Sequence, residues 1–296
     1  MNPQICLGTA QFGLSYGLTN NGGKVPEDEV RALLSQAASS GIKLIDTAQA
    51  YGDAEEVLGR SFSVSQGFRL ITKFPAQLQA RISKDSFANW EESFHGSLRA
   101  LGVDQLDGFL LHSPDDLRKP GSEYLQKWLI SLRDRGLVRR LGVSIYAKED
   151  LVNVDSDLLD LVQLPLSIYD QRLLVDGTIE FLQELGCAIH VRSVYLQGLL
   201  ISPTEAWPAW ISDQARQHHR NFEQLALERN CSLLELALSF VRAQESLEAV
   251  VIGLCSRVEL NDLIQAWGGP LPLAKDEGPS WASLDQFILD PRYWPR

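Results

Sequence analysis

The sequence predicts an α/β fold, a (β/α)8 TIM barrel formed as a single domain with a parallel eight-stranded barrel. Three observations lead there. Short apolar runs rich in β-branched residues recur along the whole chain, segments of helical period alternate with them, and the connections are short. Near-continuous apolar runs suit strands buried on both faces, as in a parallel sheet. At 296 residues the chain is long enough for one such barrel.

Taken in order, strands are expected at or near 4–7, then at 43–46, 69–73, 106–112, 140–144, 161–164, 188–193 and 249–253. Between them, Pro26 and the acids after it open a helix to Ser39 that places Val30, Leu33, Leu34 and Ala37 on one face. A helix over 87–101 groups Trp90, Phe94, Leu98 and Leu101 and stops at Gly102. Further helical segments span 124–135, 179–185 and 233–242. A doubly wound open sheet is the structural alternative. It usually announces itself with G-x-G-x-x-G after its first strand, and that spacing does not occur here. No domain boundary stands out within 1–296, and a tail from about 270 to 296 is expected to cover the barrel mouth. The segment 200–214 reads as an insertion, with Trp207 and Trp210 as core patches or pocket walls.

Composition narrows the function classes. A net charge of −11 argues against a phosphate-backbone partner, so no nucleic acid is expected. Cys6, Cys187, Cys231 and Cys255 show neither close pairing nor metal spacing. The first 13 residues lack a secretory pattern, and no stretch approaches a membrane span. A cytoplasmic protein, monomeric or weakly homo-oligomeric, with no membrane partner and no metal is the expectation.

The informative residues end the strands, because barrel active sites sit at that face. Those ends read Asp46, Lys73, His112, Ser144, Gln163 and Arg192. An ionisable group closing an apolar strand is costly unless paired. Three successive strands ending in Asp, Lys and His therefore point to a site where the ends converge. Tyr51 follows Asp46 by a short loop. A cation beside a phenol favours phenolate, Asp46 can hold Lys73 charged, and His112 can orient a carbonyl oxygen. Together they make a proton donor poised for a developing alkoxide, which is what carbonyl reduction by hydride requires.

The same stretches resemble the aldo-keto reductases. The matching pieces are Leu-Gly-Thr-Ala-Gln-Phe-Gly at 7–13, Ile-Asp-Thr-Ala-Gln-Ala-Tyr-Gly at 45–52, Ile-Thr-Lys-Phe at 71–74, Leu-Leu-His-Ser at 110–113 and Gly-Leu-Val-Arg-Arg-Leu-Gly-Val-Ser at 136–144. They run in the family's order from about 5 to about 265, and 165–172 with 191–200 look like a bacterial branch of unassigned substrate. The resemblance implies NAD(P)H-dependent reduction of an aldehyde, ketone or sugar-like carbonyl, with Tyr51 as general acid/base, Asp46 and Lys73 tuning it and His112 positioning substrate. It also implies cofactor contacts at Gly8, Thr9, Ser144, Gln163, Arg192, Gly253, Ser256, Arg257 and Glu259. The alternative is a nicotinamide-binding sensor or regulatory subunit with little turnover.

Three departures from the family pattern stand out. Ile145 replaces a common Asn, and Arg192 aligns with an aromatic residue that stacks on nicotinamide. Gly253 and Cys255 stand where basic residues often meet the 2′-phosphate, and Arg257 is expected to substitute for them. Family habit favours NADP(H), with NAD(H) as the other candidate. Arg172 and Arg192 would suit a substrate anion or pair with local acids such as Asp170. His218 and His219 read as a solvated helix face, His190 as a satisfied core residue, and His95 as a helix residue without ligand partners.

Overall fold

The structure is a computed structural model that describes residues 3–274, 276–283 and 285–295. Among these residues eight parallel strands close into a barrel in sequence order. They are β1 (Gln4–Gly8), β2 (Leu44–Asp46), β3 (Arg69–Phe74), β4 (Leu106–Leu111), β5 (Val138–Ser144), β6 (Leu161–Pro165), β7 (Ala188–Arg192) and β8 (Ala249–Gly253). Each coincides with an expected apolar run. Closure comes from β1 pairing with β8 from Gln4 opposite Ala249 to Gly8 opposite Gly253. The barrel predicted from strand–helix alternation is therefore the observed fold.

The outer ring contains α1 (Glu27–Ser39), α2 (Ala54–Ser61), α3 (Phe87–Leu101), α4 (Ser122–Asp134), α5 (Thr178–Glu184), α6 (Asp213–Glu228), α7 (Leu233–Arg242) and α8 (Arg257–Gly268). The apolar face foreseen for α1 is the buried one, with Val30, Leu33, Leu34 and Ala37 inaccessible. Gly102 closes α3 in the left-handed conformation at φ 66°, as its stop signal requires. Between α3, α4 and the sheet, Phe74, Trp90, Phe94, Phe109 and Trp128 form one aromatic cluster with centroid spacings of 5.0–6.5 Å.

Inside the barrel, Cys6, Leu44, Ile71, Leu110, Leu161 and Ala249 make a separate apolar plug. At the strands' N-terminal end Arg140 bridges Asp107 at 2.5 Å and Glu248 at 2.8 Å, and His190 meets Glu248 at 3.1 Å. Half of the expectation for His190 holds: it is buried and bonded through Nε2, but Nδ1 has no partner. The expectation of a solvated His219 fails. Its ring is fully buried, stacked on Trp207 at 4.3 Å, and bonded to the Tyr169 hydroxyl at 3.0 Å and the Ser202 carbonyl at 2.8 Å. The polar look of α6 hid a narrow apolar face of Ala215, His219, Phe222 and Ala226. Trp207 is accordingly a core residue. His95 faces Glu91 at 3.4 Å on the surface of α3. Within the expected tail, residues 275, 284 and 296 lie outside the described residues.

Candidate active site

Asp46, the last residue of β2, is buried and carries two different bonds on its carboxylate. Oδ2 accepts from the Lys73 ammonium at 2.6 Å, and Oδ1 accepts from the Gln163 amide at 2.8 Å. Lys73, inaccessible within β3, also donates to the Thr47 carbonyl at 2.9 Å and reaches the Tyr51 hydroxyl at 3.4 Å. Burial is the largest single influence and would depress a lysine; the charge and hydrogen bond of Asp46, together with Tyr51, outweigh it, so the Lys73 pKa is raised. The ammonium stays charged while pointing at a phenol.

Tyr51 owes its place to backbone packing. A Cβ on Gly13 would stand 1.8 Å from the Tyr51 carbonyl oxygen, and one on Gly52 (φ 61°) would stand 2.4 Å from the Gly13 carbonyl oxygen. Only two glycines allow the turn after β1 and the Tyr51 loop to approach this closely. Behind the loop, α2 is tied down by Glu55, which accepts from Thr72 at 2.6 Å and Ser97 at 2.8 Å. Thr9 fastens β1 to the same rim, with both its amide and its hydroxyl on the Asp46 carbonyl at 3.1 Å.

His112, one residue past β4, sets its ring edge-on to Tyr51 with centroids 5.8 Å apart. Burial, and then the nearby Lys73 charge, push its pKa down from 6.5 to about 4. The imidazole is therefore neutral at physiological pH and suited to hydrogen-bond a carbonyl without taking a proton. A folded value below the ordinary one means that this group's contribution to stability is present above pH 6.5 and is lost as pH falls toward 4. The His112 ring resonances should accordingly titrate near pH 4 in an NMR series; a midpoint near 6.5 would contradict the buried neutral imidazole.

These groups form one end of a cavity of about 680 Å³. Of the residues singled out from sequence, Asp46, Tyr51, His112, Gly8, Thr9, Gln163, Arg192, Gly253 and Glu259 line it, and Lys73 stands directly behind Tyr51. Ser144, Ser256 and Arg257 are not among the lining residues. Ser144 pairs in register with Gln163. Ser256 caps α8 by accepting from the Glu259 amide at 3.2 Å. Arg257 is drawn away by Glu29, which takes its backbone amide at 2.7 Å and its guanidinium at 3.3 Å. Arg257 and Glu29 thus form an ion pair between α1 and α8.

Gln11, Tyr16, Tyr146 and Tyr195, none of them singled out from sequence, also line the cavity, together with Asn20, Asn21, Gly22 and Asp262. Tyr146 had a signal, lying two residues beyond a strand end; Gln11 sits on a single helical turn, Ala10–Gly13, and Tyr16 and Tyr195 come from loops without period. Three buried acceptors in the cavity wall lack a partner: Gln163 Oε1, Gln11 Oε1 and Tyr195 Oη. Asp46 fixes the Gln163 amide through Nε2, and Oε1 is left as a buried acceptor without a protein donor. The amide donors of a nicotinamide match that unpartnered acceptor in chemistry.

A profile of the aldo/keto reductase family matches residues 4–286. The chain belongs to the aldo/keto reductase family. Its curated relatives include an aldo-keto reductase of Mycobacterium tuberculosis, 32% identical over 137 residues, covering 44% of this chain and 45% of that protein. Another, from Mycolicibacterium smegmatis, is 30% identical over 140 residues, covering 45% of this chain and 46% of the relative. The matched region spans about half the length of these relatives. Among solved structures, the holo form of an aldo-keto reductase from Bacillus halodurans superposes with a TM-score of 0.74 at 22% identity, over 96% of this chain and 94% of that one. A glycerol dehydrogenase from Gluconobacter oxydans gives 0.70 at 22% identity, over 94% and 89%. At these identities the structural matches speak for the barrel alone. Among the described residues, no helix of this family member is long and apolar enough to cross a membrane, and no cluster of His, Cys, Asp or Glu has metal-binding geometry.

Proposed function

We propose that the chain reduces the carbonyl of a small aldehyde, ketone or sugar-like molecule to an alcohol, using a nicotinamide nucleotide. One observation carries the reading: a phenol, Tyr51, stands 3.4 Å from an ammonium locked by a buried carboxylate, beside a neutral imidazole, at the end of a cavity. When bound, the cofactor supplies a hydride, two electrons and a proton's mass, to the carbonyl carbon. Tyr51 delivers the proton to the carbonyl oxygen. The Lys73 charge stabilises the phenolate left behind, and Asp46 keeps that charge in place. His112 donates to the same oxygen and orients it. Gln163, with Gly8 and Thr9 at the rim, holds the nicotinamide end. The binding-only alternative loses ground because a sensor has no need of a locked ammonium aimed at a phenol.

The far end of the cavity supports NAD(H) over NADP(H), reversing the expectation from family habit. Glu259 and Asp262 line it, Arg257 is held by Glu29, and among the described lining residues the only Lys or Arg is Arg192. Glu259 already satisfies the Cys255 amide at 2.7 Å, a donor that a phosphate would otherwise claim. A 2′-phosphate there meets two carboxylates, whereas a ribose hydroxyl can donate to them. Like-charge repulsion of about 1 kcal/mol per close exposed pair makes the expected preference about tenfold or more. Separate fluorescence titrations with NADH and NADPH measure it, and tighter NADPH binding would overturn it. Consumption of reduced nicotinamide across a panel of aldehydes, ketones and aldoses tests the reaction; no turnover with any of them, despite cofactor binding, would count against it. The reading extends to the tail, whose Arg292 lies over Tyr146 at the mouth, as a partial cover of the substrate entrance.

A further inference from the structure

Arginines gather where β5, β6, β7 and the tail meet, and their charges are not treated alike. Arg172 is neutralised by its neighbour Asp170 through two bonds of 2.8 Å. Arg292 is neutralised by Asp290 at 2.6 Å. Arg118, on the turn after β4, pairs with Asp115 at 2.7 Å. These pairs settle the sequence question about Arg172 in favour of its local acid.

Arg192 differs. At the end of β7 it is half-buried and lines the cavity, yet its hydrogen bonds go to neutral oxygens. They are the Ile145 carbonyl at 3.0 Å and, more weakly, the Ser193 hydroxyl at 3.4 Å. A guanidinium has five N–H donors, so these two leave the remainder for another acceptor. Its plane is fixed by the Tyr146 ring, with the guanidinium carbon 4.0 Å from the centroid. Arg292 lies 3.8 Å from the same centroid. Two guanidinium groups that close to one centroid occupy opposite faces, so Tyr146 is clamped between strand β7 and the tail. The clamp orients Arg192 before any ligand arrives, which lowers the ordering cost of binding.

Arg192 closes β7, and its bond to the Ile145 carbonyl sets it beside the end of β5. Tyr16, Tyr51, His112 and Tyr146 line the same cavity as Arg192. The cation thus stands on the strand-end rim that also carries the reacting groups, whereas Glu259 and Asp262 belong to α8. Lys73 and Asp46 cancel one another on that rim. Among the described lining residues Arg192 is then the one cation whose recorded bonds reach no carboxylate, in a chain whose net charge is −11.

We propose that Arg192, held against Tyr146, is a specificity-determining residue that binds an oxyanion, carboxylate or phosphate, carried by the carbonyl substrate. This rests on the reductase reading for the word substrate, but the anion site itself does not. A planar fork of donors matches either group in bidentate fashion. The uncharged analogue of such a substrate leaves the cation without a counter-charge in a partly desolvated site.

The test is equilibrium titration of the NAD⁺-saturated full-length protein with benzoate, benzamide and inorganic phosphate. Benzoate or phosphate is expected to bind at least about 30-fold more tightly than benzamide, the lower range for a desolvated charge pair. Which of the two anions gains more identifies the group. Arg192→Met should erase the difference and Arg192→Lys should keep part of it. The wild-type comparison stands even if a variant fails to fold, and added salt should weaken benzoate but not benzamide. Binding of both benzoate and phosphate no tighter than that of benzamide overturns the proposal. So does an Arg192→Met protein that loses only NAD⁺ affinity, which would assign the guanidinium to the cofactor. Turnover of 4-carboxybenzaldehyde against benzaldehyde separates the two readings. Anion binding without reduction of either defeats the reductase assignment alone, and reduction of benzaldehyde without anion selectivity defeats this inference alone.

Discussion

Tyr51→Phe is expected to lower kcat by about 10² to 10⁴-fold, the usual contribution of a positioned general acid, while leaving NADH affinity within about twofold. The substitution removes one oxygen and keeps the ring. The loop stays where Gly13 and Gly52 put it, because those approaches involve backbone atoms. Lys73 loses its longest contact, 3.4 Å to the hydroxyl, and retains Asp46 at 2.6 Å and the Thr47 carbonyl at 2.9 Å. The groups assigned to the nicotinamide end, Gln163 foremost, lie on other strands and do not bond the phenol. Steady-state rates and a fluorescence titration on the same preparation give the two numbers. Undiminished kcat would remove Tyr51 from the mechanism. A parallel loss of cofactor affinity would mean that the phenol shapes the nicotinamide pocket instead.

What the sequence disclosed about this site depended on locality. Asp46, Lys73 and His112 were legible because an ionisable residue at the end of an apolar strand advertises its own cost, and a barrel brings successive strand ends together. Arg192 was legible as a mouth residue for the same reason. The strands were legible because both faces are buried and their runs are unbroken. The rest turned on which distant partner a side chain finds. Asp46 orients the Gln163 amide across 117 positions, and Glu29 takes Arg257 across 228. No window of periodicity contains either pair. The same holds for Tyr146, whose two guanidinium neighbours come from β7 and the tail. His219 misled because α6 is polar on most of its surface, and the aromatic pocket that buries it is assembled from Tyr169, Trp207 and Phe222. Family resemblance supplied roles for these positions, but it did not supply the ion pair that diverts Arg257.

Lys73→Met should cost about 3–5 kcal/mol of stability as well as activity, since it strands a buried carboxylate. Asp46 is 2% exposed and Lys73 is inaccessible, so neither water nor salt replaces the lost partner. Chemical denaturation would show the loss directly, as a lower midpoint with an unchanged slope. The double substitution Asp46→Asn with Lys73→Met separates the structural from the chemical role. Asparagine keeps Oδ1, the atom that accepts from Gln163, and carries no charge to strand. A buried ion pair replaced by neutral groups of similar volume is often no less stable than the original. The double variant should therefore regain most of the lost stability and remain inactive, because nothing then stabilises the Tyr51 phenolate. Recovery of activity along with stability would show that the pair serves only to hold the barrel rim together. Failure to recover stability would show that the Lys73 contact with the Thr47 carbonyl, rather than its charge, is what the fold requires.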